Sequence, residues 1–364
     1  MAVGAGCSAP YRAPASQHGP TLTLVDSVRL LLPDSIAVGS RLHAARWGDR
    51  SFILGDIERY RVLVFDSIGR LARIFPTRTT EFGDGRESSA PYVLAGDTLV
   101  AVHDWWQKVL RVYRINDGRL AAEVPSGFLR QAAQYSVRGD TVYWGGVGID
   151  FPSPVAQWIV GAPSVTAVGS SPGYLRSQVV VWVTYGWTGV VARASDLIVA
   201  VASEPGIRVL DPQGRGQAGV LVPAARRRGT APGLIKRAAR RRETNYFQPL
   251  GSILETLSVR PSGELILTYS DHDQVAPDSL KLTDSLLGNF HYYASVVSGD
   301  LSMACLDGVV PADSARGATL LWHGDQVDVL DQVRSGSPRK QLVIRRYRID
   351  TAGCDWHPTG RWRP

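Results

Sequence analysis

Residues 48–71 read GDRSFILGDIERYRVLVFDSIGRL and contain two strand-like segments, SFILGD and RVLVFD, that each end in an aspartate. Apolar residues recur at every second position in both segments, which is the pattern of half-buried β-strands. Asp66 and Gly69 follow the second segment. An aspartate carboxylate can accept a backbone N–H two residues on, and a glycine accepts a positive φ. The stretch is therefore predicted to form a strand, a turn, a second strand and another turn.

The same unit opens six times along the chain, at Gly48, Gly96, Gly139, Ser195, Ser262 and Gly324. The successive spacings are 48, 43, 56, 67 and 62 residues. A four-stranded propeller blade occupies about 40–50 residues, so the first two intervals fit directly and the longer ones contain loop insertions. The chain is predicted to be all-β: a six-bladed β-propeller of four-stranded blades.

One further strand-like segment, TLTLVDSVRLLL at residues 21–32, precedes the first unit. In a closed ring, such a leading strand can pair into the last blade and remove the free edges of an open array. We therefore expect the ring to be closed by the N-terminal strand. The predicted organisation is a flexible linker or remnant of a lipoprotein signal at 1–20, a single propeller at 21–356 with a basic insert at 225–245, and a C-terminal tail at 357–364.

The formal charge of +7 comes from one region of the chain. Eight basic residues and no acid lie between positions 226 and 242, and without them the balance is −1. They are Arg226, Arg227, Arg228, Lys236, Arg237, Arg240, Arg241 and Arg242. Such a cluster could contact an anionic surface, or it could be a solvated loop without a partner. It lacks interleaved aromatic residues, which argues against nucleic-acid binding.

The three cysteines bear on the cellular compartment. Cys7 follows an Ala-Gly pair, as at the end of a bacterial lipoprotein signal, but the apolar stretch of such a signal does not precede it. Either the start lies further upstream and Cys7 is a lipid-anchor candidate, or Cys7 is a free thiol. Cys305 and Cys354 are either a disulfide, as an oxidising compartment favours, or two buried thiols. We expect an extracytoplasmic protein, periplasmic or on the outer surface.

The segment GDIERYRVLVFDSIGRLARIF resembles the NHL repeat, which has a strand ending in Asp, an Arg-Val strand ending in Phe-Asp, and a glycine turn. The residues that carry this resemblance are Asp56, Arg61, Val62, Val64, Phe65, Asp66 and Gly69. Asp104, Val112 and Gly118 match in the second unit, and Arg208, Val209, Asp211 and Gly214 match in the fourth. The overall plan resembles bacterial six-bladed β-propeller proteins of uncharacterised function. That resemblance implies the fold and an exported location, and it implies no reaction.

Four acids, Asp56, Asp104, Asp271 and Asp331, lie near the ends of equivalent predicted strands, so they are expected on one face of the ring. They could surround a cation or a polar ligand at the central channel, since hard cations take several carboxylate oxygens. Alternatively, each acid stabilises its own turn. The cluster His103, Asp104, Trp105 and Trp106 could line a ligand pocket, or the two tryptophans could fill the gap between blades.

No zinc-protease, Cys-x-x-Cys or nucleophile-elbow motif is present, and we predict no cofactor and no metal site. Two functions are consistent with these patterns. The first is a non-catalytic scaffold that binds a protein or a small ligand, expected to be monomeric. The second is a metal-dependent propeller hydrolase or lyase, similar to a lactonase, with its site at the channel mouth. No run of residues is apolar enough to predict a transmembrane segment.

Overall fold

The computed structural model of the protein is built from β-strands arranged in six antiparallel sheets. It describes residues 18–39, 42–47, 51–56, 59, 61–76, 94–95, 99–104, 109–125, 131–147, 153–159, 161–170, 188–202, 204–216, 218–226, 253–272, 290–312, 319–334 and 340–363. Each sheet is one blade of a six-bladed β-propeller, as the repeat predicted.

The first three blades are each made of four consecutive strands, and the bounds are as follows. Blade 1 consists of β2 (Leu42–Trp47), β3 (Ser51–Asp56), β4 (Arg61–Phe65) and β5 (Leu71–Pro76). Blade 2 consists of β6 (Leu94–Ala95), β7 (Leu99–Asp104), β8 (Val109–Arg114) and β9 (Leu120–Pro125). Blade 3 consists of β10 (Gln131–Arg138), β11 (Thr141–Val147), β12 (Val155–Ile159) and β13 (Thr166–Val168).

The last three blades each include a strand from a chain terminus. Blade 4 consists of β14 (Thr188–Ala192), β15 (Leu197–Val201), β16 (Gly206–Leu210), β17 (Ala218–Leu221) and the C-terminal β26 (Gly360–Trp362). Blade 5 consists of β18 (Ile253–Val259), β19 (Leu265–His272), β20 (Phe290–Val297), β21 (Met303–Val310) and the C-terminal β25 (Trp356–Pro358). Blade 6 consists of β22 (Thr319–His323), β23 (Gln326–Arg334), β24 (Lys340–Asp350) and the N-terminal β1 (Thr21–Leu30).

Every predicted unit opening lies just before the second strand of a blade. The second strands begin at Ser51, Leu99, Thr141, Leu197, Leu265 and Gln326, two or three residues after the six openings. The Gly-Asp or Ser-containing opening therefore lies between the first and second strands in sequence. This agreement confirms both the number of blades and the alignment of the units.

The N-terminal strand closes the ring, as predicted. β1 pairs antiparallel with β24 from Thr21 opposite Asp350 to Leu30 opposite Leu342, with one irregularity between Leu24 and Asp26. The fourth strand of blade 6 is thus supplied by the start of the chain, and the two ends of the propeller are held by a strand pair.

Apolar side chains fill each of the six spaces between successive blades. Between blades 1 and 2, for example, Ile53 and Val64 pack with Val100 and Tyr113. The sixth cluster joins blade 6 to blade 1 and includes Leu30, Leu330, Leu342, Ile344, Phe52 and Leu63. Because the clusters follow one another and the last returns to blade 1, the core is a closed circle between the blades.

The Asp-x-x-Gly turn of the repeat connects the third and fourth strands of a blade and packs against the preceding blade. Asp66 Oδ1 accepts the backbone N–H groups of Ile68 (3.1 Å) and Arg70 (2.8 Å), which confirms its predicted role. Gly69 has φ +79°, and a β-carbon there would overlap the carbonyl oxygen of Arg29 in β1. Gly214, at the same point of blade 4, has φ +76° and packs equally closely on Val168 of blade 3.

The two C-terminal strands form an addition to the predicted plan. β25 pairs with β21, and β26 pairs with β17, so blades 5 and 4 each have a fifth strand. From the sequence, residues 357–364 were predicted to be a C-terminal tail. A three-residue strand is too short to produce a recognisable alternation, so the sequence contains no signal for either of them.

Candidate functional site

The second strands of all six blades run in the same direction relative to the ring axis, so their final residues lie on one face. Asp56 ends β3, Asp271 lies one residue before the end of β19, and Asp331 lies within the last part of β23. All three residues are buried. Three of the four predicted acids thus lie at or near the ends of equivalent strands, and the surroundings of each carboxylate decide what it can do.

Asp56 is fully buried and contacts a guanidinium group and a backbone amide. Arg61 donates from Nε (3.2 Å) and Nη2 (3.1 Å) to Asp56 Oδ2, and the N–H of Gly39 lies 3.2 Å from Oδ1. Arg61 also donates to the carbonyl oxygen of Ala37. The carboxylate therefore fastens the segment that leads from β1 into blade 1 to the start of β4.

Asp331 and Asp271 also lie against arginines. Asp331 Oδ2 accepts a hydrogen bond from Nη1 of Arg345 on the neighbouring strand β24. Asp271 Oδ2 lies 3.5 Å from Nη1 of Arg226, which follows blade 4 in the chain. A buried carboxylate is stable only when its charge is compensated, and a guanidinium supplies both charge and hydrogen bonds.

A fourth acid on this face, Glu204, was missed by the sequence analysis. It follows β15, is buried, and forms a two-pronged ion pair with Arg208, which also donates to the carbonyl oxygen of Ser170 (2.8 Å). A signal was present, since Glu204 lies nine residues after the Ser195 opening and Asp56 lies eight after the Gly48 opening. Asp271 lies at the same offset, nine residues after the Ser262 opening, so the spacing could have identified Glu204 as well.

Two carboxyl groups of blade 5 have raised pKa values. Asp307 has φ +59° and accepts N–H hydrogen bonds from Ala225 (2.8 Å) and Arg226 (3.3 Å), together with one from the Tyr269 hydroxyl. Burial raises the pKa of Asp307, and these hydrogen bonds partly oppose the shift. Burial also raises the pKa of Glu255, whose Oε1 accepts a hydrogen bond from Ser270 (2.6 Å).

Non-glycine residues with positive φ and carboxyl groups with raised pKa values are both common at functional sites, although structural networks also produce them. Here the carboxylate of Asp307 fixes the chain where it leaves blade 4. Asp307, Tyr269 and Glu255 were not predicted from the sequence, because no motif marks them. They lie on three different strands of blade 5, namely β21, β19 and β18.

Several predicted site residues lie outside the described part of the chain. His103 and Asp104 end β7, but their side chains are not described, and Trp105 and Trp106 lie wholly outside. Cys7 and the basic residues from Arg227 to Arg242 lie outside as well. Arg226 is described and is held by Asp307 and Asp271.

The predicted disulfide is confirmed. Cys305 of β21 is bonded to Cys354, with the two Cα atoms 5.7 Å apart and a sequence separation of 49. The bond fastens the chain to blade 5 just before β25 begins. Among the described residues, no group of three His, Cys, Asp or Glu side chains is placed to hold a metal ion. The described part also contains no helix long and apolar enough to span a membrane.

The fold is shared with solved propeller structures of very low sequence identity. A member of the DUF4221 family from Bacteroides vulgatus is 9% identical with a TM-score of 0.57, over 92% of this chain and 99% of that one. A Bacteroides fragilis protein described as a "putative exported protein" is 9% identical with a TM-score of 0.57, over 90% and 95% of the two chains.

A further structure of this fold is an enzyme, a catalytically inactive variant of virginiamycin B lyase from Staphylococcus aureus. It is 8% identical with a TM-score of 0.51, over 91% of this chain and 94% of that one. No family model and no curated protein matches the chain. At these identities the similarity shows the six-bladed β-propeller fold, and one fold supports many functions.

Proposed function

We propose that this chain is a non-catalytic binding or scaffolding propeller that works outside the reducing cytoplasm. The observation that carries the proposal is the pairing of acids with arginines on the face where a propeller enzyme would hold its metal. Asp56, Asp271 and Asp331 each lie against a guanidinium group.

This pairing favours a structural role for the acids over a metal site. A divalent cation that shared these carboxylate oxygens would lie within a few ångströms of an arginine charge, and like charges at such distances repel strongly in a poorly hydrated site. The guanidinium groups already compensate the cost of burying the carboxylates. Face residues such as these stabilise the blades and leave their loops to make contacts with a ligand or a protein.

The disulfide between Cys305 and Cys354 supports the proposed compartment. Disulfides form and persist in oxidising environments and are rare in the cytosol. The description of the Bacteroides fragilis protein as exported agrees with this assignment. A lipid anchor at Cys7 would place the propeller at a membrane surface, and acylation of that cysteine in cells is the corresponding test.

A double-mutant cycle on Asp56 and Arg61, combined with metal analysis, tests the proposal. We expect Asp56→Asn and Arg61→Gln each to lower the free energy of unfolding, and the double variant to lose less than their sum by about 1–3 kcal/mol. We also expect no stoichiometric metal in the purified protein and no rise in Tm with calcium or zinc. The opposite result would be a bound divalent ion that Asp56→Asn removes and Arg61→Gln retains, which would favour the hydrolase or lyase instead.

A further inference from the structure

The guanidinium group of Arg226, which follows blade 4, lies against a wall of blade 5 that consists of an aromatic ring and a buried carboxylate. Its Cζ is 5.3 Å from the centre of the Tyr293 ring, and its Nη1 is 3.5 Å from Asp271 Oδ2. The Arg226 side chain is 45% exposed, whereas that of Asp271 is 1% exposed. The wall is therefore built from buried residues. The cation that contacts it, Arg226, is a half-exposed side chain from the segment that follows blade 4.

The wall is held rigid by contacts that do not involve the Arg226 side chain. The ring of Tyr293 stacks on that of Tyr269 at a centre-to-centre distance of 6.2 Å. The hydroxyl of Tyr269 is hydrogen-bonded to Ser295 Oγ (2.7 Å) and to the carboxylate of Asp307. An aromatic face next to a carboxylate attracts guanidinium and ammonium groups, and such a site binds better when its groups are already in place.

Arg226 is less firmly held than two buried arginines that also lie against carboxylates. Arg208 lies 5.8 Å from the Trp362 ring, but it is buried and forms a two-pronged pair with Glu204. Arg346 is buried and donates to both oxygens of Asp328. Arg226 has a longer ion pair than Arg208 and Arg346 and is more exposed. Another cation can therefore displace it more easily.

We propose that Tyr293, Asp271 and Asp307 form a binding site for a guanidinium or ammonium group, and that Arg226 occupies it in cis. The ligand is a basic side chain of a peptide, which displaces Arg226 from the ring of Tyr293. This inference rests on the proposed binding function and adds the chemical class of the ligand. Because Arg226 competes for the site, the unaltered chain binds such a ligand more weakly than the site itself allows.

The test measures binding of Nα-acetyl-arginine amide by isothermal titration calorimetry to the unaltered chain and to Arg226→Ala. Removing the competing cation should strengthen binding at least about tenfold. This gain in affinity should be lost when Asp271→Asn or Tyr293→Leu is added to Arg226→Ala. It should be absent in Arg226→Lys, because that variant keeps a cation at the site. Nα-acetyl-lysine amide tests the ammonium group, and Nα-acetyl-norleucine amide is the uncharged control.

Arg345→Ala is the matched control, because it also removes an arginine from a buried acid on the same face, at Asp331. The proposal is overturned if Arg226→Ala binds the arginine probe no better than the unaltered chain, if norleucine binds equally well, or if Arg345→Ala shows the same gain. Arg226→Gln replaces Arg226→Ala if the alanine variant does not unfold cooperatively. A failure here leaves the Asp56 and Arg61 cycle unaffected, so the two proposals can fail separately.

Discussion

The two halves of the ring are completed in different ways. Blades 1 to 3 are each built from consecutive strands, and β5, β9 and β13 end their sheets in the described part of the chain. Blades 4 to 6 each receive a strand from a terminus: β26, β25 and β1. An edge strand with unpaired backbone groups invites association with another chain, so each half needs protection at its edges.

The halves differ in the form of that protection. β5 and β9 each end in a proline, Pro76 and Pro125, and β13 has only three residues. Proline and short length are two common ways to limit pairing at an edge. In the other half, the terminal strands pair with the edges of β17, β21 and β24, and the disulfide at Cys354 fastens the chain next to β25. The terminal strands of this chain are therefore structural parts of blades 4 to 6.

Deletion of residues 21–30, which removes β1, should destabilise the protein more than any other change considered below. Without β1, the edge of β24 is exposed and Leu30 no longer packs between blades 6 and 1. We expect the truncated chain to lose cooperative unfolding or to aggregate, as measured by circular dichroism and size-exclusion chromatography. A synthetic peptide of residues 18–32 should restore the folded monomer, and a scrambled peptide should not. A truncated chain that unfolds at the original Tm would show that β1 does not close the ring.

Loss of the disulfide should have the next largest effect. Replacing Cys305 and Cys354 with alanine removes a cross-link over 49 residues, which should lower the free energy of unfolding by roughly 3–4 kcal/mol. Denaturant unfolding with and without a reductant measures this change. The reductant should destabilise the unaltered chain and leave the double variant unaffected. Equal stability of the two proteins would mean that the bond contributes nothing to holding β25 on blade 5.

Gly69→Ala tests the junction between β1 and blade 1. A β-carbon at this position would overlap the carbonyl oxygen of Arg29, in addition to the strain of a positive φ, so we expect a loss of about 2–3 kcal/mol. Gly139→Ala is the control, because Gly139 has φ +56° with open space around it. It should cost only about 1 kcal/mol. Similar losses at both positions would show that close packing at Gly69 is unimportant.

Trp362→Ala should have the smallest effect of the four changes. The ring lies over Arg208 on the outer side of blade 4, and its loss should cost about 1 kcal/mol. Arg361→Ala, on the same strand, removes an exposed side chain and should change the free energy of unfolding by less than about 0.5 kcal/mol. If the arginine variant is the less stable of the two, the contact between Trp362 and blade 4 does not hold β26 in place.

The sequence predicted the repeated units and the N-terminal strand, and it missed the short C-terminal strands and the partners of the acids. The openings from Gly48 to Gly324 located all six second strands, and the alternation in residues 21–32 located β1. The turn chemistry of Asp66 and Gly69 was also predictable, because it depends on neighbours within four residues. Local interactions leave a pattern in the sequence, and repetition makes that pattern visible.

The partner of Asp271 was not predictable, because it is distant from Asp271 in sequence. Arg226 and Asp271 are 45 positions apart and meet only when blades 4 and 5 pack together. The stacked tyrosines and Asp307 likewise belong to different strands. β25 and β26 are short and contain Pro358 and Gly360, residues that disfavour strands in isolation. Their pairing is imposed by the edges of blades 5 and 4.

Hydrogen exchange followed by mass spectrometry tests most directly the claim that the termini complete and protect blades 4 to 6. The amides of residues 219–221 and 303–305 lie in strands paired on both sides, whereas those of β5 and β9 lie at sheet edges. We predict at least about tenfold slower exchange in the first two segments than in β5 and β9. Equal exchange rates in the four segments would contradict the account, because the terminal strands would then not be held on the blades.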